Sequence, residues 1–524
     1  MSFTSLRRNL RLLFIIHVLA THGLAAMAVR LRLFRPYIWL LSLFSAEKPK
    51  DLGVQIRLAL ERLGPSFIKF GQMLSTRVDL LPLEVALELK KLQDDVPPEP
   101  FSVVQQLLQK AYKKNPIGEG GIFSHFEEQP VAAASIAQVH FATLQNGRDV
   151  AVKVRRPHID RTIEADLAIL RMLATLFDRY FPEYARLKAP QVVAEFSTTI
   201  RGELNLRSEA AHASRFADQL VDLEGVSVPD IFWDYTNQRV LVTERIYGTP
   251  IDEREQLLAA GFDVLELCKR VQNMFFHMVF IDGYFHADLH PGNIFVSKTG
   301  EIVLVDFGIV GRLTMQSRVY LADMMLALLQ QNYNRAAEVH VEAGYVPYDT
   351  DISAFEDALR EIAVPIFNRP LKDISIAELL FYLFSVTERF QMETRPELLL
   401  LQKSMVVIEG LARELEPDIN IWDLSKPLIS TWALEHLGPK GKGQRLLKQG
   451  QHQLQTWMQL PKDIHAQFDK LQQRFPARTQ GLGVGALLSM VCWLGAGVLL
   501  GMFWQQPLLS EAWLAATSLI FVGV

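Results

Sequence analysis

The sequence predicts an α+β protein in two lobes, a small strand-rich one and then a larger helical one. A helical extension precedes them and an apolar helical hairpin ends the chain. Three observations carry this. "QVHFATLQNGRDVAVKV" holds two alternating, β-branched runs joined by Asn146-Gly147, the strongest short hairpin signal. From about Glu253, apolar residues recur at helical spacing, as in "LELCKRVQNMFFHMVF" and "ELLLLQKSMVVIEGLARELEP". From Gly481 to Trp504 the chain has no charged residue.

In chain order, residues 1–45 hold an apolar stretch, Leu12 to Val29, flanked by Arg7, Arg8, Arg11 and by Arg30, Arg32, Arg35. Basic residues on both sides suit a helix lying at a membrane interface. A signal peptide is the rival, since Ala26 and Ala28 form an A-x-A-like step. Residues 46–120 read as a helical extension, closed by the breaker "NPIGEGG" from Asn115 to Gly121. Residues 121–250 form the strand-rich lobe, ending in "RVLVTERIYGTPI", a strand that exits into a turn. Residues 251–430 are the helical lobe and 431–479 an amphipathic linker. Residues 480–524 hold two transmembrane helices, the second running from Pro507 to Val524 with Glu511 near its start. Lys462, Lys470, Arg474 and Arg478 precede the first span, so the positive-inside rule places the large domain in the cytosol. A buried helical pair in a globular core is the alternative.

Composition narrows the function classes. A chain of 524 residues is too long for one ordinary core. A net charge of −4 gives no reason to expect a nucleic-acid partner. Cys268 and Cys492 support neither a disulfide framework nor a cysteine metal site, and they fit a reducing compartment.

The chemistry sits in "GYFHADLHPGNIFV" and "VDFGIVGR". Phosphoryl transfer from ATP needs a backbone cradle for the phosphates, a cation on them, ligands for magnesium and a group to orient the nucleophile. Lys153 in "VAVK", on the second hairpin strand, is the cation. Asp288 and Asn293 in "HADLHPGN" follow the D-x-x-x-x-N spacing in which Asp handles the acceptor hydroxyl and Asn holds magnesium. His286 holds the loop. Asp306 lies 18 residues after Asp288, and "IFVSKTGEIVLV" between them reads as strand-turn-strand, which brings the two aspartates together. Asp306 and Asn293 offer the hard oxygens that magnesium prefers. Zinc on His277, His286 and His290 is the weaker alternative, because no third soft ligand has a sensible spacing. The cradle should be glycine-rich. Here it is Val131, Ala132, Ala133, Ala134, Ser135, Ile136, Ala137, Gln138, Val139, with alanine restricting φ more than glycine does. Residue 287 is Ala, no A-P-E follows the D-F-G, and 135 residues separate Lys153 from Asp288. The gap leaves room for an insertion, and an ordinary peptide-substrate platform is not expected.

These stretches resemble the UbiB family of atypical protein-kinase-like proteins over nearly the whole chain. "SFIKFGQMLSTRVDLLP" matches its K-x-G-Q motif at Lys69, Gly71 and Gln72, "VAAASIAQVH" its alanine-rich loop, and "HADLHPGN" with "DFG" its catalytic pair. The resemblance implies an atypical two-lobed kinase fold that binds ATP and Mg, with the K-x-G-Q helix packed over the site and obstructing protein substrates. It implies an ion pair between Lys153 and a helix glutamate, Glu209 first and Glu203 second. The family's E-x-D reads Glu203, Leu204, Asn205 here, which puts its contact with Lys69 in question. It further implies a bacterial inner-membrane protein supporting ubiquinone biosynthesis. Its partners would be membrane lipid, ubiquinone precursors and other biosynthetic proteins. A small-molecule phosphotransferase of the aminoglycoside or choline kinase type and a non-catalytic membrane scaffold are the competing readings.

Overall fold

In a computed structural model of the chain, the described residues are 3–22, 51–76, 81–92, 97–113, 115–182, 188–367, 386, 389–392, 395–416, 429–433 and 436. The chain divides into two compact units, Met1–Gly438 and Pro439–Val524. The second unit, with both expected transmembrane runs, lies outside the described residues. Among the described residues no helix is long and apolar enough to cross a membrane.

Helix α1 spans Phe3–Thr21, α2 Leu52–Leu63, α3 Pro65–Thr76, α4 Leu83–Leu89 and α5 Phe101–Tyr112. Asp51 starts α2 by accepting from the Gly53 and Val54 amides, which satisfies two N–H groups that a helix start leaves open. Pro65 sits first in α3, where its missing N–H costs nothing. The strand-rich lobe follows as β1 (Phe123–Phe126), β2 (Ala132–Ala133), β3 (Ala137–Leu144) and β4 (Asp149–Arg155), and a largely helical segment leads to its last strand. That segment holds α6 (Ile159–Tyr180), α7 (Ala189–Glu203) and α8 (Leu206–Leu220), then the short β5 (Val226–Ser227) and β6 (Val240–Glu244).

The sheet runs β1-β3-β4-β6, with β2 on β3. The Asn146-Gly147 hairpin forms as expected, joining β3 and β4, with Gly147 at φ 81° where a side chain would be strained. Val150, Val152 and Val154 of β4 are buried against Val104 and Leu108 of α5, so alternation sends Lys153 to the other face. Helix α5, placed by sequence in the extension, therefore packs on this sheet.

The expected insertion is α6 and α7. These helices share an apolar cluster with α1 to α4, in which Ile15 and Val18 meet Ala59, Leu60, Phe67, Ile163 and Phe196. The described half of the expected interfacial helix thus docks on protein, with Ile15, Ile16, Val18 and Ala20 buried. Arg11 forks onto Asp166 at 2.8 and 3.1 Å and reaches the Leu63 carbonyl at 2.8 Å. The rest of that apolar run lies outside the described residues.

The helical lobe contains β7 (Gly248–Pro250), α9 (Arg254–Ala259), α10 (Val264–Phe276), β8 (Tyr284–His286), β9 (Ile294–Ser297), β10 (Ile302–Leu304) and β11 (Val310–Arg312). Helices α11 (Met315–Leu329), α12 (Tyr333–Glu342), α13 (Ile352–Phe367) and α14 (Pro396–Leu415) follow. The β9–β10 pair is the expected strand-turn-strand between the aspartates, flanked by β5 and β7. Cys268, buried in the lobe's core, has its thiol pushed up to about 12 by burial, so it is an inert apolar filler. Cys492 lies outside the described residues.

Candidate active site

The site is built on two loops and braced by one histidine. After β8, His286 is fully buried. Its Nε2 faces the Val305 carbonyl at 3.1 Å, and its Nδ1 accepts from the Asp288 amide at 3.1 Å. That pairing assigns the proton to Nε2. Burial lowers the imidazole's pKa, so it stays neutral. His286 thus ties the loop of Asp288 to the residue before Asp306, the holding role expected of it. Asn293 completes the turn: its Nδ2 donates to the Asp288 carbonyl at 3.0 Å, which leaves Oδ1 as the atom for a cation.

Asp306 stands in the left-handed region at φ 58°, a conformation Asp tolerates better than most residues. The Gly308 amide donates to its Oδ1 at 3.3 Å. The next residue, Phe307, is buried against Phe216 and His286, with ring centroids 5.1 and 5.3 Å away. Helix α8 supplies that column and more from one face, at spacings of three and four. Glu209 meets Lys153, His212 Nδ1 faces the Phe307 carbonyl at 3.0 Å, and Phe216 packs at a tilt against Phe307.

Lys153 Nζ lies 2.8 Å from Glu209 and 3.1 Å from Asp306. Burial opposes its charge, but the two carboxylates outweigh it and raise the ammonium's pKa above its ordinary value. One cation shared by two anions leaves one anion undercompensated. Burial, together with the charge of Asp306, pushes Glu209 up to about 7 despite Lys153. Asp306 goes the other way: burial resists, and Lys153 with Lys69 holds its carboxyl at about 2. Of the two glutamates expected as the partner of Lys153, Glu209 is the one in contact. Glu203 stands 3.8 Å from Lys69, so this contact forms although Asn205 replaces the usual Asp. Asn205 itself begins α8 with no side-chain cap bond, and its Oδ1 is buried without a partner.

The K-x-G-Q helix is fixed by close packing. A Cβ on Gly71 would fall 2.4 Å from Leu92 and 2.6 Å from Leu60, and Gln72 donates to the Leu92 carbonyl at 3.1 Å. Through that packing Lys69 faces Glu203 and the Asp306 side of the cleft.

The alanine-rich loop divides in two. Val131, Ala132 and Ala134 are exposed and Ala133 half-buried, whereas Ser135, Ile136, Ala137 and Gln138 are buried and Val139 half-buried. Its backbone is largely committed, with Val131 N–H donating to Val139 and Ala134 N–H to Ala137. Gln138, expected in the ATP cradle, commits its side chain elsewhere. Its Oε1 accepts from the Glu99 amide at 2.8 Å, and its Nε2 lies 2.8 Å from His140. The side chain serves the linker before α5, as does Arg156, which donates to the Ala134 and Pro97 carbonyls.

Sequence reasoning missed Lys403. From α14 its Nζ reaches Asp288 Oδ1 at 2.8 Å. Burial works to raise the Asp288 pKa, but Lys403 prevails and lowers it. The only sequence signal is a lysine inside an otherwise apolar helical stripe.

The donor set fits magnesium. Asp306 and Asn293 offer two hard oxygens on adjacent loops, and a site open to phosphates and water supplies the remainder. No group of three or more His, Cys, Asp or Glu side chains that could hold a metal occurs among the described residues, so the zinc alternative gains no support. His277 instead lies 3.3 Å from Asp282.

With this geometry in view, comparison with known proteins is specific. The ABC1 atypical kinase-like domain matches residues 91–340, and the UbiB helical domain matches 359–420. "Probable protein kinase UbiB" from Marinobacter nauticus is 41% identical over 444 residues, 83% of this chain and 80% of that protein. The solved Rv3197–erythromycin complex from Mycobacterium tuberculosis matches at 24% identity with a TM-score of 0.48, over 71% of this chain and 94% of that one.

Proposed function

The chain belongs to the UbiB family of atypical kinase-like proteins, and from that premise we propose that it binds Mg-ATP between Lys153 and Asp306 and catalyses phosphoryl transfer or ATP hydrolysis at the bacterial inner membrane in support of ubiquinone biosynthesis. The observation that carries this reading is the convergence of Lys153, Glu209, Asp306, Asn293 and Asp288 on one cleft, from segments up to 153 residues apart. Lys153 would take the α- and β-phosphates. Asn293 Oδ1 and Asp306 would hold magnesium, which neutralises phosphate charge in such sites. Asp288, kept ionised by Lys403, would orient the acceptor hydroxyl or water and take its proton.

Helix α3, with Lys69 pointing to the Asp306 side, favours a small or lipid-borne acceptor, or water, over a protein loop. Ubiquinone precursors, membrane lipid and other biosynthetic proteins are the partners this reading names, through the C-terminal apolar runs. The test is release of labelled phosphate from γ-labelled ATP with magnesium, with and without anionic liposomes and a phenolic quinone precursor. Free phosphate that rises with either supports a lipid-coupled ATPase. Label on a small molecule supports a phosphotransferase. Nucleotide binding with no turnover under any condition leaves a scaffold and defeats the proposal.

A further inference from the structure

Resting on the Mg-ATP reading above, we propose that Lys403 is the cation for the transferred γ-phosphoryl group: it leaves its exclusive pair with Asp288 to bridge Asp288 and the γ-phosphate. The transition state spreads charge over three equatorial oxygens, and fixed cations aimed at that charge are a large part of catalysis. Lys153 is committed to Glu209 and Asp306. The loop from His286 to Asn293 contains no Lys or Arg. Lys403 is the lysine that touches Asp288, where the acceptor must arrive.

The placement is built into the fold. Leu401, Ile408, Leu411 and Leu415 bury α14 in the core of the helical lobe. Ser404, fully buried, shares its one hydroxyl proton between the His286 carbonyl at 3.3 Å and the Leu400 carbonyl at 3.1 Å, which links the residue beside Lys403 to the loop that carries Asp288. Lys403 engages only Oδ1 of Asp288, and both side chains are about one-third exposed, 30% and 31%, so a ligand can reach them. An ammonium has three donors on a flexible stem and can add a phosphate oxygen while keeping the carboxylate. In the step, the bond from Pγ to the β-phosphate oxygen breaks with its electrons going to ADP. The acceptor oxygen bonds to Pγ, the acceptor's proton passes to Asp288, and Lys403 keeps its own proton.

The rival is a lysine that acts only by holding Asp288. Equilibrium binding separates the two, using the full chain in anionic liposomes with magnesium, ADP and a non-hydrolysable ATP analogue, read by displacement of a fluorescent nucleotide. Lys403→Met should weaken the analogue about tenfold, as loss of a charged hydrogen bond does, and leave ADP within about twofold. Lys403→Arg should restore much of the difference. The Lys403→Met loss should persist in an Asp288→Asn background, where no carboxylate remains to be held. Lys403→Gln gives the same reading if the methionine variant melts early. Equal weakening of both nucleotides, no weakening of either, or disappearance of the loss in the Asp288→Asn background would overturn the assignment while Mg-ATP binding stood. A wild-type chain that binds neither nucleotide would overturn the Mg-ATP reading and the assignment together.

Discussion

The cleft holds two lysine–aspartate pairs, and they are built differently. Lys153 and Asp306 belong to a three-member cluster on the strand side, closed by Glu209 and overlooked by Lys69. Lys403 and Asp288 form a single contact on the helical side, made across 115 residues of sequence. The first pair is over-determined. Its carboxylates compete for one ammonium, so a cation or phosphate entering there finds a cluster ready to redistribute charge. The second pair is simple, and the aspartate keeps an oxygen for chemistry. On the proposed reading, Lys153 grips the nucleotide from one wall and Asp288 acts on the acceptor from the other, each wall with its own lysine.

The widest separation should come from breaking one member of each pair. Asp288→Asn is expected to lower phosphate release by about 10²- to 10⁴-fold, as loss of a general base does, with nucleotide binding retained. Lys153→Met should lower both, which a binding titration beside the turnover assay will show. If Asp288→Asn abolishes binding as well, the division between walls is wrong.

Phe307→Ala tests whether the walls share a support, since the ring touches both Phe216 of α8 and His286 of the Asp288 loop. Losing this buried ring should cost about 3–5 kcal/mol in denaturant unfolding. Gly71→Ala sharpens the strand-side pair alone. The added methyl displaces Leu60 and Leu92, for a loss of about 1–3 kcal/mol. Nucleotide affinity should fall with it if Lys69 supports Asp306.

The smallest effect is a pH slope. Glu209 binds its proton more tightly folded than unfolded, with its value raised from 4.5 to about 7. The native state then holds more protons between those values, so this group's contribution to stability falls as pH rises through that window. Asp306, held at about 2 against an ordinary 3.8, contributes stability that is lost as pH falls between those values. Glu209→Gln should flatten the melting profile between about pH 5 and 7, by an amount on the order of 1 kcal/mol. A slope unchanged by the substitution would mean that Lys153 compensates Glu209 fully.

The contrast also shows what a sequence can and cannot display. Asp288, Asn293 and Asp306 are legible because the spacing is local and the β9–β10 hairpin converts it into proximity. Lys153 is legible from strand alternation. Glu209 could be ranked above Glu203 only by the family resemblance. The face it shares with His212 and Phe216 was there to be read, but nothing marked its target. Lys403 was hidden by distance, since a lone lysine in "LLLLQKSMVV" looks like a solvated position on a core helix. The side-chain role of Gln138 was not legible, because a loop motif read as a unit does not separate backbone from side chain, and its Oε1 accepts from the Glu99 amide.

The His286 brace also bears on timescale. The Asp288 amide is bonded to an imidazole nitrogen whose ring is held at its far end by the Val305 carbonyl. Deuterium can replace that amide hydrogen only when the loop lets go of the ring. The exchange rate at this one position is therefore a clock for how often the turn that carries Asp288 opens away from its histidine brace, readable with no substrate present.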